Sequence, residues 1–277
     1  MRTLKESLLD DFGSQAANLR KEQVKEWLEK HNYYGTRGLK FNPDGTIDID
    51  EFDYIGGGNF PDYINFNNCK GNFDCRHLPN SKFSKMTSLH GCPSWVGGNF
   101  NCHGNNLTTL EGSPQRVEGY FDCSDNQLKT LKGGPKVVND EYVCSENQLT
   151  SLNGAPKKIG HGFDCSNNQL KTLKGCPERV ASTFCCNRNN LTSLEGSPKK
   201  IGSDFLCIEC GLTTLKGCPE VIPFEFDCSN NYITSLKDGP KKVGNILWCT
   251  GNHISKEEIN WAEKNIDCKR IKWIWEH

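Results

Sequence analysis

Cysteine recurs in this chain at a fixed interval. From Cys102 to Cys249, eight cysteines occupy every twenty-first position. An earlier cysteine, Cys75, precedes Cys102 by 27 residues, which indicates an insertion of about six residues within 77–85. Such a regular period defines a repeating unit, and periods of about 20–50 residues are typical of solenoids, in which each unit packs only against its neighbours.

Other residue types keep the same period. An aromatic residue or leucine lies two residues before each of these cysteines, and from Cys102 onward asparagine lies three residues after each, except where Cys210 takes its place. A typical unit reads FDCSDNQLKTLKGGPKVVNDE, residues 121–141. A unit this short cannot bury its own apolar side, so we expect units to stack about 4.8 Å apart through parallel strands. The ten residues between Leu131 and the next aromatic residue predict an extended or 3₁₀ outer segment rather than a long helix.

This unit resembles the leucine-rich repeat pattern L-x-L-x-x-N/C-x-L, with phenylalanine and cysteine at its two strand positions. Its NQLTSL and GxP segments are similar to the short repeats of bacterial YopM- and IpaH-type effectors. The resemblance covers about residues 60–255. It implies a β-rich solenoid with parallel strands on a concave face and little helix on the convex face. It also implies a bacterial or phage-encoded protein that binds or inhibits a host component.

The ubiquitin-ligase activity of IpaH-type proteins is not expected, because only about 25 residues follow the last repeat. Nor does the sequence contain a Ser-His-Asp order, a phosphate-binding loop or a paired-acid signature. We therefore predict a non-enzymatic protein without cofactors, and leave its oligomeric state open.

The predicted organisation is one solenoid domain with helical caps at both ends. Residues 1–36 form a helical N-terminal cap with a Thr3–Glu6 capping box and a break at Gly13–Ser14; a protein-binding helical hairpin is the alternative. Its second helix carries a stripe made of Leu19, Val24, Trp27 and Leu28.

The remaining boundaries follow from the repeat. Residues 37–71 supply a hairpin and the entry to the solenoid, and residues 72–254 supply about nine coils. Residues 255–277 form a C-terminal cap, with a helix that begins at Ser255 and an apolar tail. The tail contains Ile271, Trp273, Ile274 and Trp275.

The concave face is the predicted binding surface, because side chains that alternate with the buried Phe and Cys point outward. We predict apolar contacts from Val143, Leu206, Ile208 and Trp248, with acidic residues providing electrostatic selection. The complete predicted site is Tyr120, Asp122, Glu141, Val143, Asp164, Leu206, Ile208, Glu225, Asp227, Ile246 and Trp248.

A basic outer edge is the main alternative. The chain is nearly neutral, with 33 Lys+Arg against 34 Asp+Glu, yet lysines concentrate on the return segments, for example at Lys157, Lys158, Lys199 and Lys200. Nucleic acid or another polyanion could bind there, although no aromatic residues interleave with those lysines, which disfavours nucleic acid.

A metal site is the second alternative. The segment NPDGTIDIDEF, residues 42–52, resembles the later part of an EF-hand loop, with weak candidate ligands Asp44, Asp48 and Glu51. The first loop position would be Lys40, a cation where a carboxylate is required. We therefore predict a hairpin that turns at residues 43–45, and no metal.

The cysteines are expected to be reduced core residues. Cys207 and Cys210 form a Cys-x-x-Cys, but the repeat explains Cys207 as a core position and Cys210 as the position that asparagine occupies in other units.

The N-terminus has no uninterrupted apolar stretch typical of a signal peptide, and no run of 18 apolar residues occurs. The sequence predicts a cytoplasmic protein, of the producing or a target cell, without a membrane partner.

Overall fold

The computed structural model describes residues 4–273, with side chains from residue 15 onward, and shows a β-solenoid of about eleven turns. Within this range there are two helices and 22 short strands. The helices are α1 (Leu4–His31) and α2 (Lys256–Asn265). The strands are β1 (Lys40–Phe41), β2 (Ile47–Ile49), β3 (Phe52–Asp53), β4 (Phe66–Cys69), β5 (Phe73–Asp74), β6 (Trp95–Val96), β7 (Phe100–Asn101), β8 (Arg116–Val117), β9 (Phe121–Asp122), β10 (Val137–Val138), β11 (Tyr142–Val143), β12 (Lys158–Ile159), β13 (Phe163–Asp164), β14 (Arg179–Val180), β15 (Phe184–Cys185), β16 (Lys200–Ile201), β17 (Phe205–Leu206), β18 (Val221–Ile222), β19 (Phe226–Asp227), β20 (Lys242–Val243), β21 (Ile246–Trp248) and β22 (Arg270–Lys272).

One sheet of 11 strands runs the length of the solenoid, and we call it the long sheet. Its order is β3, β5 and then every second strand to β21, with β22 at the far edge. All neighbours are parallel, and equivalent repeat positions pair, as in Phe100 with Phe121. This register follows from the constant repeat period, because each coil supplies one strand at the same place.

A second sheet lies on the return path of the coils. Nine strands pair in the order β1, β2, β4 and then even-numbered strands to β16, and β18 pairs with β20 separately. We call these strands the return sheet. Each of its later strands buries a valine or isoleucine such as Val138, Ile159 or Val180. The expected extended outer segment is confirmed, whereas its pairing into a sheet was not predicted.

The space between the sheets is filled by the periodic apolar residues. The aromatic, cysteine and leucine positions are fully buried in successive coils. Rings in adjacent coils contact one another, and some pairs stack, with centroids 5.6 Å apart for Phe73 and Phe100 and 5.4 Å for Phe100 and Phe121. Thiols in the cysteine column donate to a carbonyl of the next coil, as from Cys123 Sγ to Val143 O at 3.4 Å. Core cysteine therefore combines apolar burial with a contact between coils.

A ladder of buried asparagines joins adjacent coils on the side where the long-sheet strands end. Asn126 Nδ2 donates to the carbonyl oxygens of Cys102, 3.0 Å away in the preceding coil, and of Cys123, 3.2 Å away in its own coil. Its Oδ1 accepts from Leu107 N at 2.9 Å. Each amide thus satisfies backbone groups that turn away from the sheet and would otherwise be buried without partners. The same contacts to two coils are made by Asn105, Asn147, Asn168, Asn189, Asn231 and Asn252.

The residue before each of these ladder positions has left-handed backbone geometry. Asp125, Glu146 and Arg188 have φ values of 49°, 54° and 52°, and glycine takes this position at Gly104. A positive φ reverses the chain direction directly after the strand, so the following side chain points into the core. The turn therefore aims the asparagine at the neighbouring coil.

The N-terminal helix differs from the expected pair of helices. Helix α1 continues past Gly13 and Ser14 without a break, because glycine inside a helix costs about 1 kcal/mol but does not end it. Val24, Trp27 and Leu28 are buried as expected. Leu19 is 64% exposed, so its place on the buried stripe was wrong. The Thr3–Glu6 capping box lies outside the described side chains.

The solenoid is longer at both ends than the nine coils expected. Phe52 pairs with Phe73 and lies one repeat period before it, so the first coil falls within the predicted entry segment. At the other end Ile271 pairs with Leu247, so the predicted cap supplies a further strand. The helix at Ser255 is confirmed, since Ser255 Oγ accepts from Glu258 N at 3.2 Å. Ile274 and Trp275 lie outside the described residues.

Replacing Asn126 with alanine should lower the free energy of unfolding by about 3 kcal/mol, because several buried backbone groups lose their partners. Urea denaturation followed by circular dichroism measures this change. The exposed neighbour Gln127 is the matched control, and its alanine variant should differ from wild type by less than about 0.5 kcal/mol. Equal stability of the two variants would contradict the role of the ladder.

Candidate functional site

Seven of the eleven predicted binding residues occupy outward positions in strands of the long sheet, and Tyr120, Glu141, Ile208 and Glu225 lie in the segments directly before or after those strands. Strand pairing aligns Asp122, Val143 and Asp164 across three neighbouring strands. Farther along, Leu206 pairs with Asp227, which pairs with Trp248. Glu141 is exposed, and the other predicted residues are partly exposed. We call this surface the long-sheet face.

The apolar residues of this face form a group near the C-terminal end rather than one continuous patch. Leu206 lies beside the half-buried Cys185 in the preceding strand, and Ile208 follows two residues later. Asp227 separates Leu206 from Trp248. Val143 is three strands away from Leu206, so the structure does not bring it into this group.

The aspartates of the face have structural partners that the sequence interpretation did not foresee. Asp122 Oδ1 accepts from Ser124 N at 2.9 Å, and Asp164 makes the same contact with Ser166 N at 2.9 Å. Asn101 occupies the equivalent position and accepts from His103 N at 3.0 Å. These side chains therefore shape the turn that follows each strand, as Asx residues do in many turns.

Glu225 is held in place by two neighbours. Its Oε2 accepts from Trp248 Nε1 at 3.2 Å, and its Oε1 accepts from Asn245 Nδ2 at 3.1 Å. The indole is thereby fixed against the face while part of its ring stays exposed. A side chain ordered in this way loses little conformational entropy when a partner covers it.

Burial changes the acidity of three carboxyls on this face. Desolvation raises the pKa of Asp74, Glu141 and Asp227, and neighbouring carboxylates add to the effect. Hydrogen bonds from Ser229 to Asp227 act in the opposite direction and are outweighed. The charged form of these groups is thus disfavoured relative to the unfolded chain.

The three candidate calcium ligands do not converge. Asp44 Oδ1 accepts from Thr46 N at 3.0 Å inside the predicted hairpin turn, and β1 and β2 confirm that hairpin. Asp48 accepts from Asn67 and Asn68, and Glu51 accepts from Asn72. Over residues 15–273, His, Cys, Asp and Glu side chains nowhere form a group of three or more that could hold a metal ion.

The Cys-x-x-Cys pair is divided between two repeat positions, as predicted. Cys207 donates to Asp227 O at 3.3 Å in the next coil, whereas Cys210 donates to Cys186 O at 3.1 Å in the preceding coil. Burial raises the pKa of Cys207 well above its ordinary value. The 16 cysteines are all free thiols in the structure.

The return sheet carries a basic surface that the sequence interpretation identified only in part. Lys158, Arg179 and Lys200 are exposed and lie directly beside one another in β12, β14 and β16. The lysines of this edge were noted from sequence, but Arg179 was missed. Its position, one repeat period from each of the two lysines, was the signal that could have revealed it.

Comparison with protein-family models gives no match, and comparison with curated proteins gives no match either. None of the helices within residues 4–273 combines the length and the apolar character that crossing a membrane requires. The fold itself is that of a repeat protein built from short coils in register.

Replacing Asp227 with asparagine should raise the urea midpoint at pH 7. The amide can still accept from Ser229 N, as Asn101 does from His103 N, and it removes a charge that burial disfavours. Since the folded-state pKa is raised, the wild-type carboxyl favours folding below its unfolded pKa and loses that contribution as pH rises through its folded pKa. The advantage of the variant should therefore vanish near pH 3. An advantage that persists unchanged at pH 3 would contradict this assignment.

Proposed function

We propose that this chain is a non-enzymatic scaffold that binds a protein partner on the long-sheet face. Its coils are, in this proposal, short leucine-rich repeats, and the long-sheet face corresponds to their concave side. The observation that carries the proposal is the group of partly exposed apolar side chains around Leu206, Ile208 and Trp248, set among carboxylates.

An apolar centre with a charged rim is the usual composition of a protein interface. Trp248 is well suited to such a centre because tryptophan is enriched among residues that dominate binding energy, and its indole is already ordered by Glu225. Asp227 pairs directly with Leu206 and Trp248 on this face and supplies negative charge. A partner with a basic rim and an apolar projection fits this surface best.

The rigidity of the scaffold supports the same proposal. Every strand of the long sheet is fixed by pairing with its neighbours, and the coils of β7 to β15, β19 and β21 are also joined by the asparagine ladder. The outward positions tolerate Asp, Asn, Val, Cys, Leu and Trp in successive coils without a change of register. Such a surface can vary in chemistry while its geometry stays constant.

The repeat unit resembles YopM- and IpaH-type repeats, and this similarity is the basis for proposing a biological role. We infer a bacterial or phage-encoded protein that acts in the cytoplasm of the producing or target cell, where it binds or inhibits a host component. This part of the proposal rests on analogy between repeat sequences.

Capture experiments with tagged protein and cell lysate test the binding face. Leu206→Asp is the most useful variant, because the equivalent position is already aspartate at Asp164 and Asp227, so the fold accepts it. Together with Trp248→Asp it should abolish capture of the specific partners, since charge enters the apolar centre.

The control matched to Trp248→Asp is Tyr232→Asp, which places one negative charge at an aromatic side chain that is 62% exposed but off the long sheet. This variant should capture the same partners as wild type. If the long-sheet variant and the control both retain the partners at equal yield, the long-sheet face is not the binding site.

A further inference from the structure

The return sheet presents a row of cations along the solenoid axis. Parallel pairing places Lys158 opposite Arg179 and Arg179 opposite Lys200. Adjacent strands lie about 4.8 Å apart, so each coil contributes one positive charge at nearly that interval. Lys136, Lys157 and Lys199 stand next to this row on the same return segments, and the exposed carboxylate of Glu178 takes the register position between Lys157 and Lys199. We call the six cations the basic row.

Carboxylates form ion pairs with cations of the return sheet that lie on either side of the basic row. Arg116 pairs with Glu118, Lys241 with Glu220, and Lys242 with Asp267. In the part of the chain with described side chains, members of the basic row form no ion pair. Like charges directly opposite one another across strands destabilise a sheet. A polyanion would remove this repulsion on binding.

Two open grooves follow the basic row. The first has a volume of about 720 Å³ and is lined by Lys136, Lys157, Lys158 and Arg179 together with residues 137–139, 154–156, 159 and 160. The second has a volume of about 510 Å³ and is lined by Arg179, Lys199 and Lys200, with Glu220 also in its lining. Arg179 borders both, so the grooves adjoin and cross at least three coils in the axial direction.

We propose that the basic row binds a linear polyphosphate chain lying along the solenoid axis. The cations repeat at a short, constant interval, which matches a ligand whose charges are closely and evenly spaced along an extended backbone. The arginine contributes paired donors to phosphate oxygens, and the lysines contribute point charges. The chain as a whole carries a net charge of -1, so this attraction arises from the local arrangement and not from general basicity.

The groove chemistry favours a phosphate backbone over a nucleic acid. Single-stranded nucleic acids are held largely by stacking of bases on aromatic side chains. Among the described residues that line the two grooves, none is aromatic. The surface therefore offers positive charge but no aromatic ring on which a base could stack. A polyanion without bases matches this chemistry.

Fluorescence anisotropy with labelled inorganic polyphosphate tests the proposal on the full chain. Binding should be measurable at low salt and should weaken steeply as salt increases. Changing Lys158, Arg179 and Lys200 together to glutamine should weaken binding roughly tenfold or more. The matched control changes Lys129, Lys132 and Lys171 to glutamine; these exposed lysines lie on the turn segments, so the control has the same net charge but should bind like wild type.

Absence of polyphosphate binding at low salt would overturn the proposal, and so would equal weakening of binding in both triple variants. The proposal would also be wrong if a single-stranded oligo(dT) of equal charge bound more tightly than polyphosphate through the same three residues. The last result would identify a nucleic acid as the ligand. Both variants change only exposed side chains, and circular dichroism should show that each is folded like wild type. Loss of polyphosphate binding leaves capture through Leu206 and Trp248 unaffected, so the two surfaces are tested separately.

Discussion

In seven coils, the hydrogen bonds of one buried or partly buried asparagine secure the junction with the preceding coil. In a stack of short coils, backbone N–H and C=O groups are left without partners where each strand ends. The next coil then buries those groups. The amide of Asn126 satisfies both sides of that junction, since it donates to carbonyls of two coils and accepts an amide hydrogen from the preceding one. Apolar stacking supplies the larger part of the driving force, but it is the directional contact that fixes the register.

A fixed register gives the molecule two surfaces of opposite character. Outward positions of the long sheet collect carboxylates and a few apolar groups, whereas those of the return sheet collect lysine and arginine. Asp122 and Asp164 show that charge on the first surface is partly a by-product of turn formation, because each carboxylate accepts a backbone hydrogen bond. Lys158, Arg179 and Lys200 serve no comparable purpose within the described part of the fold. Ligand binding is therefore a simpler explanation for the cations than for the aspartates.

The sequence was sufficient to predict the solenoid, because a short and strict period leaves the chain no other way to bury Phe, Cys and Leu. It also predicted which side chains point outward, since strand alternation is local. It did not reveal the pairing of the return segments, because two-residue strands such as Lys158–Ile159 show no alternation of their own. The coil at Phe52 was missed because tyrosine replaces cysteine at Tyr54 and an EF-like motif overlaps it. The sequence interpretation also grouped Val143 with Leu206. The strand order of the long sheet is needed to see that three strands separate them.

Hydrogen exchange at one backbone amide tests the role of the ladder most directly. The amide hydrogens of Leu128, Leu149 and Leu170 are each accepted by an asparagine Oδ1 at 2.9 to 3.0 Å. The equivalent partner for Leu191 is Cys210, whose thiol offers no oxygen. Exchange measured residue by residue by NMR should therefore be faster at Leu191 than at the other three leucines. Equal protection of all four amides would contradict the claim that the asparagine side chain secures each junction between coils.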